Sequence, residues 1–278
     1  MYKLPLGLAF AFRFLFFAVI AAGQRPAVQF ATQAELLDDL KLAPCSKNSE
    51  RRDAVVALFT KAGATESEIE IRKDDDLENV VITKKGSTAE KVIIGAHYDK
   101  TSDGCGVLDN WSGVSIIANI YRTMRLHDTQ KTYVFVAFDE EEKGLLGSSS
   151  FADDIEKSDR TNYCAMVNFD SFGMGVPQAL GNVSTEPLIK LAEAVSGELK
   201  LPFARAGISF ASSDSASFNR RDIPAITLHG LGEKWSDYLH NSKDKIENVD
   251  IASVHAGYLH GLILISKIER SPCNAFRK

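Results

Sequence analysis

Short apolar runs recur along the chain, and segments with helical spacing separate them. The runs are "VIIGAHY", "TYVFVAFD", "CAMVNFD" and "PAITLHG". A strand that alternates apolar and polar residues wets one face, whereas these runs have no polar face to offer. Such strands belong inside a mostly parallel sheet with helices on both sides. The intervening helical patterns agree: "SGVSIIANIYRTM" sets Val114, Ile117, Tyr121 and Met124 on one face, and "EPLIKLAEAVSGELKL" and "VDIASVHAGYLHGLILISKIER" read as further helices. Two more helices are expected in "TQAELLDDLKL" and in "SERRDAVVALFTKAG", which ends at Gly63. Two β-branched runs flank a Lys-Lys-Gly-Ser turn in "NVVITKKGSTAEKVIIGAHY", which predicts a hairpin. The fold class is therefore α/β, a three-layer α/β/α arrangement around a mostly parallel mixed sheet.

The chain has 278 residues, 45% of them apolar, enough for one core. Residues 1–23 read as a secretory signal peptide: Lys3 and Arg13 precede an uninterrupted apolar run of nine residues, Phe14 to Ala22, and small residues follow. That run falls short of the ~20 residues a spanning helix needs, so no stable membrane anchor is expected. Residues 24–278 are then a single domain of a secreted or periplasmic protein. Without Lys3 and Arg13, 30 basic residues face 37 acidic ones, and a net charge of −7 argues against nucleic acid as a partner. Cys45, Cys105, Cys164 and Cys273 enter an oxidising compartment, where disulfides form; four cysteines allow three connectivities.

Ligands of parallel sheets bind beyond the carboxyl ends of the strands. Those positions hold His97 and Asp99, then Asp109 in the following loop, Glu140, Glu141 and Glu142 after "VFVAF", and Asp170 after "MVNF". Singly each has an ordinary explanation: a core histidine, a helix N-cap at Asp109, a solvated glutamate run. Together they repeat one chemistry at successive strand ends. Clustered carboxylates repel one another unless a cation neutralises them, and imidazole with carboxylate suits zinc or another first-row divalent ion. More carboxylates than one ion requires point to two ions.

In order along the chain, "GAHYD", "GVLDNWSGV", "EEKGLLGS", "NFDSFG", "SDSASFNRRDIPA" and "YLHNSKDKIENVD" resemble the motifs of the M28 family of zinc peptidases, the leucyl aminopeptidase-like exopeptidases. The resemblance implies two Zn2+ ions, with His97 and Asp170 completing one site, Glu142 and His240 the other, and Asp109 bridging. It makes Glu141 the general base and Asp99 a supporting catalytic-site residue that fixes the tautomer of His97. It also implies substrates that are peptides or amino-acyl compounds with a free N-terminus. His240 emerges only from the motif. His127, His255 and His260 are expected to be structural, and His229 is a candidate substrate contact. Phe172, Met174 and Phe210 are candidates for a side-chain pocket.

The chain departs from the family pattern at Leu108, where many members carry an aspartate, and at Ser215, where many have histidine after Ser213-Asp214. The alternatives are a glutaminyl-peptide cyclotransferase of the same fold, a carboxypeptidase or dipeptidase of the family, and a non-catalytic ectodomain. Of two glycosylation sequons, Asn110 abuts the expected bridge and Asn182 is the better acceptor. The sequence leaves oligomeric state and preferred residue open.

Overall fold

The computed structural model describes residues 28–207 and 212–277; the expected signal peptide and Phe210 lie outside the described residues. In chain order the elements are α1 (Gln33–Leu40), α2 (Asn48–Lys61), β1 (Ile69–Asp74), β2 (Leu77–Lys84), β3 (Lys91–His97), α3 (Ser112–Met124), β4 (Thr132–Phe138), α4 (Leu146–Asp153), β5 (Tyr163–Phe169), β6 (Gln178–Leu180), α5 (Glu186–Leu199), β7 (Ala204–Ala206), α6 (Ser215–Asn219), β8 (Ala225–His229) and α7 (Ile251–Arg270). Local chemistry sets several starts. Thr32 and Glu35 form a reciprocal capping box on α1, and the Asp250 carboxylate accepts the N–H of Ala252 at the start of α7.

The strands form one mixed sheet in the order β1-β2-β4-β3-β5-β8-β6-β7. Strand β3 pairs in parallel with β4 and β5, and β5 in parallel with β8, so the apolar runs make the interior. Alternate residues feed two cores. Val92 and Ile94 pack with Val114, Ile117, Leu188 and Ile265 of α3, α5 and α7, while Ile93 faces Phe151 and Phe218 of α4 and α6. Helices therefore cover both faces, as the strand composition requires.

The expected hairpin is not formed. Strand β2 pairs with β1 and β4, and β4 lies between β2 and β3. The chain does reverse at the glycine-containing turn, but the connector crosses the start of β4: Gly86 N–H donates to Thr132 Oγ1, and the N–H groups of Ser87 and Thr88 donate to the carbonyls of Thr129 and Gln130. A Cβ on Gly86 would sit 2.3 Å from the Lys131 carbonyl oxygen, so only glycine allows this crossing. The reason is burial: "YVFVAF" is apolar on both faces, and the slot between two strands covers it better than an edge would.

The cysteines pair as Cys45–Cys105 and Cys164–Cys273.

Candidate metal centre

The interior strands deliver the sequence-predicted residues to one rim. His97 ends β3, Glu141 and Glu142 follow β4, Asp170 follows β5, and His240 lies beyond β8. His97 Nε2 lies 3.2 Å from Asp109 Oδ1, 3.5 Å from Asp170 Oδ1 and 4.0 Å from Glu141 Oε2. On the other side, His240 Nε2 lies 3.0 Å from Asp109 Oδ2 and 3.3 Å from Glu142 Oε2. Asp109 thus presents one oxygen to each imidazole. Donor atoms of His97, Glu141 and Asp170 form one close set, and those of His97, Asp109 and Glu142 another.

Asp109 does not cap α3. Gly113 N–H near that helix start donates to Asn110 Oδ1, which leaves the Asp109 carboxylate free for the rim. Asn110 is wholly buried and also donates to the Phe169 carbonyl, so its sequon is inaccessible, whereas Asn182 is exposed. Glu140 turns away to Lys143 and Asn48.

Asp99 sits beneath the rim and makes no approach to the cavity. Its Oδ1 pairs with His97 Nδ1 at 3.1 Å and accepts the Glu141 N–H at 3.0 Å; its Oδ2 accepts the Glu142 N–H at 3.1 Å. One carboxylate thus orients the imidazole and the glutamate turn together. With Nδ1 turned to Asp99, Nε2 faces the other carboxylates.

Two residues that sequence reasoning passed over hold the loop carrying Asp109. Asp244 accepts the N–H groups of Val107, Leu108 and Asp109 at 2.7, 2.6 and 3.1 Å. Arg51, fully buried, donates to the carbonyls of Tyr98, Pro44, Cys105 and Gly106. Asp244 lies inside "SKDKIENVD", four residues past His240, so the motif held it unremarked; Arg51 had no signal beyond being a charge on an amphipathic helix.

Protons sit where positive charge is wanted. Burial, reinforced by Asp109, pushes Glu142 up to about 8. Burial also raises Glu141 well above the carboxylate range, with His97 opposing and Asp170, Asp214 and Asp109 reinforcing. The hydrogen bond that His240 donates to the Asp109 carboxylate lifts its pKa to about 9. Burial opposes charge on His97, yet Glu141, Asp109, Asp170 and Asp99 together raise its pKa well above the ordinary value. Glu142 Oε1 is buried without a hydrogen-bond partner among the described residues. A rim of carboxylates this close, with an orphaned oxygen and imidazole nitrogens turned inward, fits the donor set of a hard-to-borderline divalent cation.

The chain matches the profile of Peptidase family M28 over residues 79–258, which contains every residue of the rim. The chain belongs to peptidase family M28. Among its relatives, a probable leucine aminopeptidase of Arthroderma otae is 29% identical over 193 residues, 62% of this chain and 52% of that protein. The chain spans about half the length of the curated leucine aminopeptidases it matches. Among solved structures, an aminopeptidase from Aneurinibacillus sp. strain AM-1 superposes with a TM-score of 0.62 at 25% identity, covering 70% of this chain and 48% of that one. The Porphyromonas gingivalis glutaminyl cyclase shares the fold, with a TM-score of 0.69 at 16% identity over 84% of this chain and 96% of its own.

Beside the M28 rim lies a cavity of about 400 Å³, walled by Leu180, Leu231, Trp235 and Leu239 and bordered by Ser171, Thr227 and His229. Phe172 is not part of it: the ring is wholly buried against Phe169 and over Gly257. Met174 does not line it either. The structural expectation for the other histidines agrees, since His255 Nε2 meets the Ala31 carbonyl and His260 Nε2 the Ala192 carbonyl. Ser215, at the departure from the family pattern, is hydrogen-bonded to the Val183 carbonyl and to Thr227.

Proposed function

We propose that this M28 chain is a secreted metallo-aminopeptidase that hydrolyses the first peptide bond of substrates with a free N-terminus. The observation that carries the reading is the double approach to Asp109, with His97 at one carboxylate oxygen and His240 at the other. His97 and Asp170 would hold one zinc ion, Glu142 and His240 a second, with Asp109 shared. Bound zinc supplies Lewis acidity, polarising the substrate carbonyl and acidifying water at neutral pH.

The chain's own residues do the rest. Asp99 holds His97 in the tautomer that turns Nε2 inward. Glu141, anchored through its N–H to Asp99, stands at the cavity edge beside Asp170 and takes the proton of the attacking water, then returns it to the leaving amine. The raised pKa of Glu141 has its first cause in burial, reinforced by the carboxylates of Asp170, Asp214 and Asp109, whose charge bound cations would offset. The two disulfides and the apolar N-terminal stretch support secretion.

The test is a panel of amino-acid anilides beside N-blocked and carboxyl-side substrates, run on metal-counted protein. Cleavage of free-amine anilides by protein holding two zinc ions is expected. Glu141→Gln should keep both ions and lose about 10²–10⁴ in kcat. Bound metal with no free-amine turnover sinks the aminopeptidase reading. Ammonia release from an N-terminal glutamine peptide would instead assign the cyclase reaction.

A further inference from the structure

A groove of about 690 Å³ runs down the flank of the molecule from the metal rim. Its upper end is Ser212, which also borders the rim cavity. The next residue, Ser213, donates its hydroxyl to Asp170 Oδ2 at 2.6 Å, which fixes this end at the rim. From there the groove follows α6 on one side and the segment 182–185 on the other. That segment is held along β8, where Thr227 N–H donates to Ser184 Oγ and Thr185 N–H to the Ala225 carbonyl. The lower end, at Arg220, Ile223, Pro224 and Phe276, lies beside the start of β8 and so at the end of the sheet away from the rim.

The charge of the groove is opposite to that of the rim. Four carboxylates border the rim cavity, those of Asp109, Glu141, Glu142 and Asp170. The groove carries two guanidinium groups, Arg220 and Arg277, against one carboxylate, Asp222. Arg277 already donates to the carbonyls of Asp222, Arg160 and Tyr163, so it adds charge more than free donors. Arg220 is exposed, and its side chain makes no ion pair among the described residues and only a long hydrogen bond, 3.5 Å, to Ser217 Oγ. Its neighbour Arg221 differs: it is paired with Asp153 of α4.

A peptide whose first residue fills the rim cavity must lead the rest of its chain out, and the groove that meets the cavity at Ser212 is such an exit. Helix α6 rises about 9 Å from Asp214 to Arg220 at ~1.5 Å per residue, and an extended peptide advances ~3.3 Å per residue. About three residues beyond the one at Ser212 therefore bring a side chain to Arg220. We propose that this groove takes the leaving side of a peptide substrate and selects for a carboxylate at its fourth or fifth residue, with Arg220 as the partner. The proposal rests on the reading of the rim as an aminopeptidase site and adds a preference beyond the first residue.

The test uses the zinc-loaded full chain and the amide of Leu-Ala-Ala-Ala-Ala, with glutamate or glutamine placed in turn at its second, fourth and fifth residues. Hydrolysis is followed on wild type, and binding by calorimetry on Glu141→Gln, which leaves the peptide intact. At the fourth or fifth residue, glutamate should lower KM about two- to fivefold relative to glutamine with kcat unchanged, and ~0.5 M salt should remove most of the difference. At the second residue the two should be equal. Arg220→Gln should erase the ratio, whereas Arg221→Gln, which removes the same charge outside the groove, should keep it. Equal KM for glutamate and glutamine peptides in wild type, or a ratio that survives Arg220→Gln, overturns the proposal. A ratio lost equally in both arginine variants, or equally large at the second residue, does so too, because it then reflects overall charge and not this groove. Charge-selective binding without hydrolysis of any peptide upholds the groove and defeats the aminopeptidase reading. Hydrolysis without the charge preference does the reverse.

Discussion

Asp244 makes no approach to the rim cavity, yet it holds three consecutive N–H groups of the loop that presents Asp109. Burial pushes its own carboxyl up to about 6, opposed by those hydrogen bonds. Asp244→Asn keeps the shape but turns one acceptor oxygen into a donor facing an N–H. Zinc affinity should weaken by about 10–100-fold, read by competition with a chromophoric chelator. Proton linkage gives a second prediction at this scale. His240 at about 9 and Glu142 at about 8 both lie above their unfolded values, so the metal-free fold binds more protons than the unfolded chain. The stability they contribute is complete below the unfolded pKa values and is lost as pH rises through about 8 and 9. Metal must displace the same protons. Zinc affinity should therefore climb from pH 6 to 8 by about tenfold per pH unit for each proton displaced, and thermal unfolding at pH 9 should show the largest gain on adding zinc. Calorimetry in buffers of different ionisation enthalpy counts the protons released. A pH-independent affinity would mean that His240 and Glu142 are not ligands.

At the scale of elements, the site depends on how closely helices approach the strands that carry it. Gly113, in the first turn of α3, lies under the end of β5: a Cβ there would stand 2.4 Å from the Phe169 carbonyl oxygen and 2.4 Å from Asn110 Oδ1. Gly113→Ala should cost about 1–3 kcal/mol, visible in chemical denaturation, and should lower zinc affinity because Asn110 adjoins Asp109. The sequence made the interior of this fold legible because its strands are apolar on both faces, and no edge position suits them. It misled at the hairpin, where local turn chemistry favoured pairing β2 with β3; only the later run at Thr132–Phe138, apolar on both faces, shows why β4 takes that place. Strand β1, with Glu70, Ile71 and Lys73 exposed at the sheet edge, has only Ile69 and Ile71 as apolar residues, too short an alternation to announce it. Strands β6 and β7 are three residues each, too short for any period to register. Among site residues, those at strand ends could be read from position and chemistry together. His240 sits in a polar loop and needed the motif, and the anchoring role of Asp244 consists of main-chain contacts that no side-chain pattern encodes.

The whole molecule ties this rim down through distant parts of the chain. Cys45–Cys105 spans 60 residues and fastens the segment between α1 and α2 to the loop leading into Asp109, where Arg51 also gathers carbonyls from both sides. Cys164–Cys273 spans 109 residues and closes the segment after α7 onto the start of β5, at the end of that strand away from the rim. Cross-links over loops of this length each contribute about 2–4 kcal/mol, which for a chain of this size is about 4–16 °C in Tm. Their placement separates the consequences. Replacing Cys164 and Cys273 by serine should lower Tm and leave zinc affinity unchanged, because β5 still carries Asp170 to the rim. Replacing Cys45 and Cys105 should lower Tm by a similar amount and also weaken zinc binding, because the Asp109 loop loses one of its three ties, the others being Arg51 and Asp244. Differential scanning calorimetry beside a zinc titration measures both quantities on the same samples. Equal zinc affinity in the two double variants would show that Arg51 and Asp244 alone suffice to hold the loop.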